Sequence, residues 1–117
     1  MSWTIIIQSR PDAPGNPAFT ALRLAGAAVA DGETVCLFLV EGALQLALKT
    51  PEIKDERLQA QRDMLCEFIE LGMSVQACGM CLTRECKSEG DLLPGVEKGS
   101  MKTLVASIRQ SEKVLTF

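Results

Sequence analysis

The chain has 117 residues, 12 Lys and Arg against 15 Asp and Glu, a formal charge of -3 and 47% hydrophobic residues. That length closes one hydrophobic core and not two, so a single domain over residues 1–117 is predicted. The charge leaves no positive surplus for phosphates or anionic lipid, which excludes nucleic acid and the membrane surface as partners, and no apolar run is long enough to span a bilayer.

The opening MSWTIII lacks a basic n-region and a cleavable apolar segment, so a cytoplasmic protein is expected. The apolar fraction is high for so small a body, and part of that surface is expected to meet another subunit. There are 5 cysteines and no histidine. An odd, unevenly spaced set in a chain of intracellular character does not read as a disulfide framework, so the thiols are expected reduced and free to react.

Residues 3–8, WTIIIQ, predict a first strand, and SRPDAPGNP after it can only be a loop. A helix over 17–30 follows, with Asn16 as N-cap, Pro17 at the first helical position and Asp31-Gly32 as the stop. Residues 34–40, TVCLFLV, are apolar on both faces, the pattern of a strand covered from both sides, and place Cys36 in the core. A short apolar helix is predicted over 41–48, then a charged stretch, then a helix over 57–71 ended by Gly72.

A strand over 73–77 leads into the cysteine cluster, and a polar loop over 87–91 comes after it. The stretch LLPGVEKG reads as irregular or as a short strand. Gly99-Ser100 caps a helix running to about Ser111, and KVLTF closes the chain as a last strand. Strand and helix alternate with crossover-length connections, which predicts an α/β fold, a three-layer α/β/α sandwich around a mainly parallel sheet of about five strands. In such sheets chemistry sits beyond the carboxyl ends of the strands, and Cys78 occupies such a place. No glycine-rich phosphate fingerprint follows strand one or two, so no nucleotide cofactor is implied.

The decapeptide ACGMCLTREC, residues 77–86, holds three of the thiols. Structural zinc wants four ligands, and this chain offers one CxxC and no histidine. The order C-x2-C-x4-C also reverses the plant-type iron–sulfur spacing, so a metal site ranks last. Cys78-Gly-Met-Cys81 has the form of a dithiol redox site, yet it comes far too late in the chain for a thioredoxin. A Cys-His pair is ruled out by composition. Backbone remains as activator: a cysteine between a strand and a helix meets unpaired N–H groups and the positive end of the helix dipole. Gly79 would let the chain turn tightly there, and Arg84 and Lys87 add positive charge or are simply solvated. Cys86, eight residues past Cys78, would lie about 12 Å away along a continuous helix, too far for a disulfide. Cys36 and Cys66 read as small core hydrophobes.

The run ACGMC after an apolar strand, the acidic loop, GVEKGSM, the helix and the closing KVLTF together resemble the DsrE/DsrF/TusD sulfur-relay family over nearly the whole chain. The resemblance implies a small α/β/α sandwich that assembles as trimers or hexamers. It implies sulfane sulfur carried as a persulfide on Cys78, the cysteine at the strand end, supplied by a TusA-like carrier or a rhodanese. Cys81 and Cys86 are additions to that pattern. Cys81 is expected to act as a resolving thiol that expels the bound sulfur by closing a Cys78-Cys81 disulfide. Two readings from other classes stay open: a non-catalytic oligomeric binding or regulatory module, and a CxxC dithiol redox protein.

Overall fold

A computed structural model describes residues 1–117. Its strands are β1 (Ser2–Ile7), β2 (Thr34–Leu39), β3 (Ser74–Cys78), β4 (Val96–Gly99) and β5 (Lys113–Thr116). Its helices are α1 (Pro17–Ala30), α2 (Glu56–Glu70), α3 (Gly79–Arg84) and α4 (Met101–Gln110), with a 3₁₀ helix at Glu41–Leu46. The sheet order is β4-β3-β2-β1-β5 and every adjacent pair is parallel. Parallel neighbours need long crossovers, and the helices supply them.

Register explains why the two faces differ. Leu115, Ile5, Leu37, Val75 and Val96 lie side by side across the five strands, an apolar row that α1 and α2 cover. One residue away, on the opposite face, the rows read Val114, Thr4, Cys36, Ser74 and Thr116, Ile6, Phe38, Gln76, Glu97. That face is mixed in polarity, and α4 meets it partly through hydroxyls. Thr4 Oγ1 is 2.7 Å from Ser107 Oγ and 2.6 Å from Ser111 Oγ, and Thr103 Oγ1 donates to Gln76 Oε1 at 2.8 Å. Between α4 and the strand starts runs a groove of about 380 Å³ that Cys36, Ser74 and Gln76 help to line. The expectation that β2 is sealed on both sides therefore holds for Phe38 but not for Cys36, which is only half-buried.

Cys66 is likewise corrected. The buried stripe of α2 is Leu58, Gln61, Leu65 and Phe68, and Cys66 sits one residue beyond Leu65, on the solvent side. Asn16 stands at the N-cap of α1, but it is left-handed at φ 52 and its side chain caps nothing. Its Oδ1 instead accepts from Arg57 Nη1 at 2.8 Å, while Arg57 Nη2 donates to the Asp12 carbonyl at 3.0 Å and to Asp55 Oδ2 at 2.8 Å. Asp55 caps α2, and its hydrogen bonds from the Arg57 side chain and backbone N–H hold its carboxyl at about 2. Arg57 thus ties the long loop after β1 to the start of α2. No helix is long and apolar enough to cross a membrane.

Candidate functional site

The carboxyl ends of β2 and β3 point to one edge of the sheet, and the candidate site is built there. Cys78 is the last residue of β3 and at the same time the N-cap of α3. Its backbone is still extended, at φ -60 and ψ 118, so its sulfur takes the position a serine or aspartate oxygen would hold and accepts the Cys81 N–H at 3.4 Å. The amide expected from sequence is in place. The open, reachable thiol is not, because Cys78 is 4% exposed and Cys81 5%.

Gly79 is required for a different reason than a tight turn. Its φ is not positive; a Cβ there would lie 2.8 Å from Lys98 Cε and 3.1 Å from the Gly99 carbonyl, so the residue lets α3 start hard against the end of β4. Two surface depressions, of about 320 and 470 Å³, meet at Gly79 and Lys98, beside the start of α3. Lys87 borders one and Arg84 the other.

Cys81 is the more densely contacted thiol. Its sulfur accepts from the backbone N–H of Glu41 at 3.5 Å and from Arg84 Nη2 at 3.5 Å, and it donates to Glu41 Oε1 at 3.9 Å. Arg84 Nη2 also binds Glu41 Oε2 at 2.7 Å. Burial pushes the Cys81 thiol up, the Glu41 N–H pulls it down, and contact with the Cys78 thiol and the Glu41 carboxylate push it up again; the net direction is upward. Burial thus disfavours the Cys81 thiolate, while the Cys81 backbone N–H holds the sulfur of Cys78.

Arg84, which the sequence left as a charge of no fixed role, touches both Glu41 and Cys81. Glu41 was missed altogether. It is a non-glycine residue at φ 52, two residues past the carboxyl end of β2, and the rule that sites gather beyond strand ends points to it as much as to Cys78. Cys86 ends outside the pair: α3 stops at Arg84, and Cys86 turns left-handed at φ 56 into solvent. No three Cys, Asp or Glu side chains converge as a metal-holding group.

Fold and site together define a small parallel α/β protein with a strand-end thiol pair. The chain belongs to the DsrE/DsrF-like family, which it matches over residues 1–117. It is 33% identical over 117 residues to an uncharacterised protein of Methanocaldococcus jannaschii, covering 100% of both chains. With an uncharacterised protein of Methanopyrus kandleri the identity is 34% over 114 residues, 97% of this chain and 92% of that one. Among solved structures it is similar to YchN from E. coli, with a TM-score of 0.78 and 26% identity over 100% of each chain. A protein of unknown function from Methanobacterium thermoautotrophicum shares the fold, with a TM-score of 0.73 and 16% identity over 99% of this chain and 97% of that chain.

Proposed function

We propose that the protein carries sulfane sulfur as a persulfide on Cys78 and passes it to a thiol of a partner protein. The observation that carries this reading is the place of Cys78: last in β3, first at α3, its sulfur held by the Cys81 N–H. Membership of a family broadly linked to sulfur relay supports it. In the loading step the Cys78 thiolate attacks the outer sulfur of a donor such as thiosulfate, a sulfur–sulfur bond forms, and sulfite leaves with the donor's electron pair. In delivery a partner thiolate attacks that outer sulfur and Cys78 departs as thiolate. Neither step needs a metal or a nucleotide. Arg84, Lys87 and Lys98 border two depressions that meet at Gly79, the residue after Cys78, and favour an anionic donor there.

Cys81 is assigned the part of resolving thiol, a reading supported by its backbone N–H lying 3.4 Å from the Cys78 sulfur. Sulfur is expected to arrive from a TusA-like carrier or a rhodanese. The exposed Met101, Val105 and Ile108 on α4, with Val114 on the same side of the sheet, form an apolar strip suited to a homo-oligomer, a trimer or hexamer.

The contact between Cys78 and Cys81 also favours a second reading, a dithiol redox protein, which would exchange with a dithiol in the absence of sulfur and show a defined reduction potential. Incubation with thiosulfate or polysulfide followed by intact mass separates the two. Addition of sulfur to the wild type but not to Cys78→Ser supports carriage. Oxidation of the Cys78-Cys81 pair by a dithiol's disulfide with no sulfur donor present, together with no sulfur added to Cys81→Ser, refutes it in favour of the redox reading, and no change in either leaves a non-catalytic module.

A further inference from the structure

We propose that Glu41 is the proton acceptor, and Arg84 the charge partner, of the step in which Cys81 displaces sulfide from the Cys78 persulfide. The inference rests on the persulfide reading and concerns how the bound sulfur is let go when no partner takes it.

Three groups on two separate segments converge on the Cys81 sulfur. The Glu41 N–H and Arg84 Nη2 both lie 3.5 Å from it as donors, and Glu41 Oε1 lies 3.9 Å from it as acceptor. Arg84 bridges back to the other oxygen of the same carboxylate at 2.7 Å. Donors alone would suit a permanent thiolate, and a carboxylate alone a permanent thiol; both together suit a sulfur that must pass from one to the other. Glu41 holds this position at φ 52, in the left-handed region that a non-glycine residue enters only under constraint from its surroundings. Packing explains part of that constraint, since a Cβ at Gly42 would lie 2.4 Å from Arg10 Cγ, so the 3₁₀ helix starts wedged against the loop after β1.

The chemistry balances without an external oxidant. The Cys81 proton moves to Glu41 Oε1; the Cys81 thiolate, held by the Glu41 N–H and Arg84, attacks the inner sulfur on Cys78. A Cys78-Cys81 sulfur–sulfur bond forms and the bond to the outer sulfur breaks. Cys81 is oxidised from thiol to disulfide, and the outer sulfur is reduced to sulfide, which leaves with the electron pair and takes the proton from Glu41. The titratable and charged groups facing Cys81 are the Cys78 thiol, the Glu41 carboxylate and the Arg84 guanidinium, with Lys98 nearby at Gly79.

The test uses full-length protein loaded with sulfur, freed of donor, and followed by a sulfide-selective electrode and intact mass. Glu41→Gln keeps the backbone N–H and removes the acceptor, so release from loaded protein should slow about a hundredfold, the lower range for loss of a general base. With hydroxide left to take the proton, its rate should climb with pH through neutrality, whereas the wild-type rate stays flat. Glu41→Asp should recover part of the rate, Arg84→Gln should slow release as well, and Glu85→Gln, on the exposed end of α3, should match the wild type. Release from Glu41→Gln and Arg84→Gln at the wild-type rate overturns the assignment while leaving the persulfide intact. A slower rate in Glu41→Gln that stays flat with pH overturns it too, since a merely structural defect would do that. If the wild type takes up no sulfur, the parent reading fails first.

Discussion

Substituting Gly99 by alanine is the sharpest test of how tightly the floor of the site is packed. Gly99 is buried and lies directly beside Cys78 in register. An added Cβ would come 2.5 Å from Gln76 Oε1, 2.8 Å from Phe38 Cε2 and 3.1 Å from Gln76 Cβ. Phe38 is fully buried and cannot withdraw, and Gln76 can withdraw only by giving up the hydrogen bond from Thr103 Oγ1. Overpacking of a filled core costs about 1–3 kcal/mol. A lost hydrogen bond adds about 1 kcal/mol, so Gly99→Ala should destabilise by about 2–4 kcal/mol. For a domain of this size that is a fall in melting temperature of roughly 8–16 °C, measured by circular dichroism. Gly79→Ala is the control. There the nearest atom is the mobile end of Lys98, which can move, and the Gly99 carbonyl at 3.1 Å need give only by a few tenths of an ångström, so its loss should be smaller than that of Gly99→Ala. Equal melting temperatures for wild type and Gly99→Ala would refute the packing described for the β4–α4 junction.

Three further outcomes are expected. Native protein treated with iodoacetamide should be alkylated at the exposed Cys66 and Cys86 first and at Cys78 and Cys81 only slowly; peptide mapping that finds Cys78 among the first would contradict its burial. Asp55→Ala should lower the melting temperature. Because the folded carboxyl sits at about 2, below its ordinary 3.8, the deficit should be complete above about pH 4 and shrink as the pH falls towards 2; a deficit constant with pH would remove the Arg57 contact as its cause. Cys81→Ser should lengthen the life of the persulfide on Cys78, followed by mass spectrometry, and an unchanged lifetime would remove Cys81 from the release step.

Much of this architecture was legible because local signals agreed with one another. Pro17 at the start of α1, Gly72 after α2 and Ser100 before α4 each stand at an element boundary, and the apolar runs of β1, β2 and β3 carry the parallel sheet. Cys36 and Cys66 depart from the core position that their hydrophobicity predicts for a shared reason: orientation on the element, not hydrophobicity, decides burial. Cys36 falls in the polar register row under a single helix, and Cys66 falls one step off the buried stripe of α2. Asn16 was assigned to the right position with the wrong partner, since Arg57, 41 residues away, claims its side chain.

The candidate site divides in the same way. Cys78 and Cys81 are neighbours in sequence, so their spacing on a helix start could be read directly. Glu41 is a neighbour of Cys81 only because β2 and β3 pair in parallel and end at the same edge. Sheet order is a long-range property, and no local pattern around Glu41 marks it. The burial of Cys78 was equally hidden, for it depends on how α3 and the neighbouring strands pack around the end of β3.

The most direct measurement is the intact mass of the protein after exposure to thiosulfate or polysulfide, with the modified peptide identified. One added sulfur is expected on Cys78 in the wild type and, longer-lived, in Cys81→Ser, and none in Cys78→Ser. Sulfur retained by Cys78→Ser, or no sulfur taken up by the wild type, would contradict carriage on Cys78.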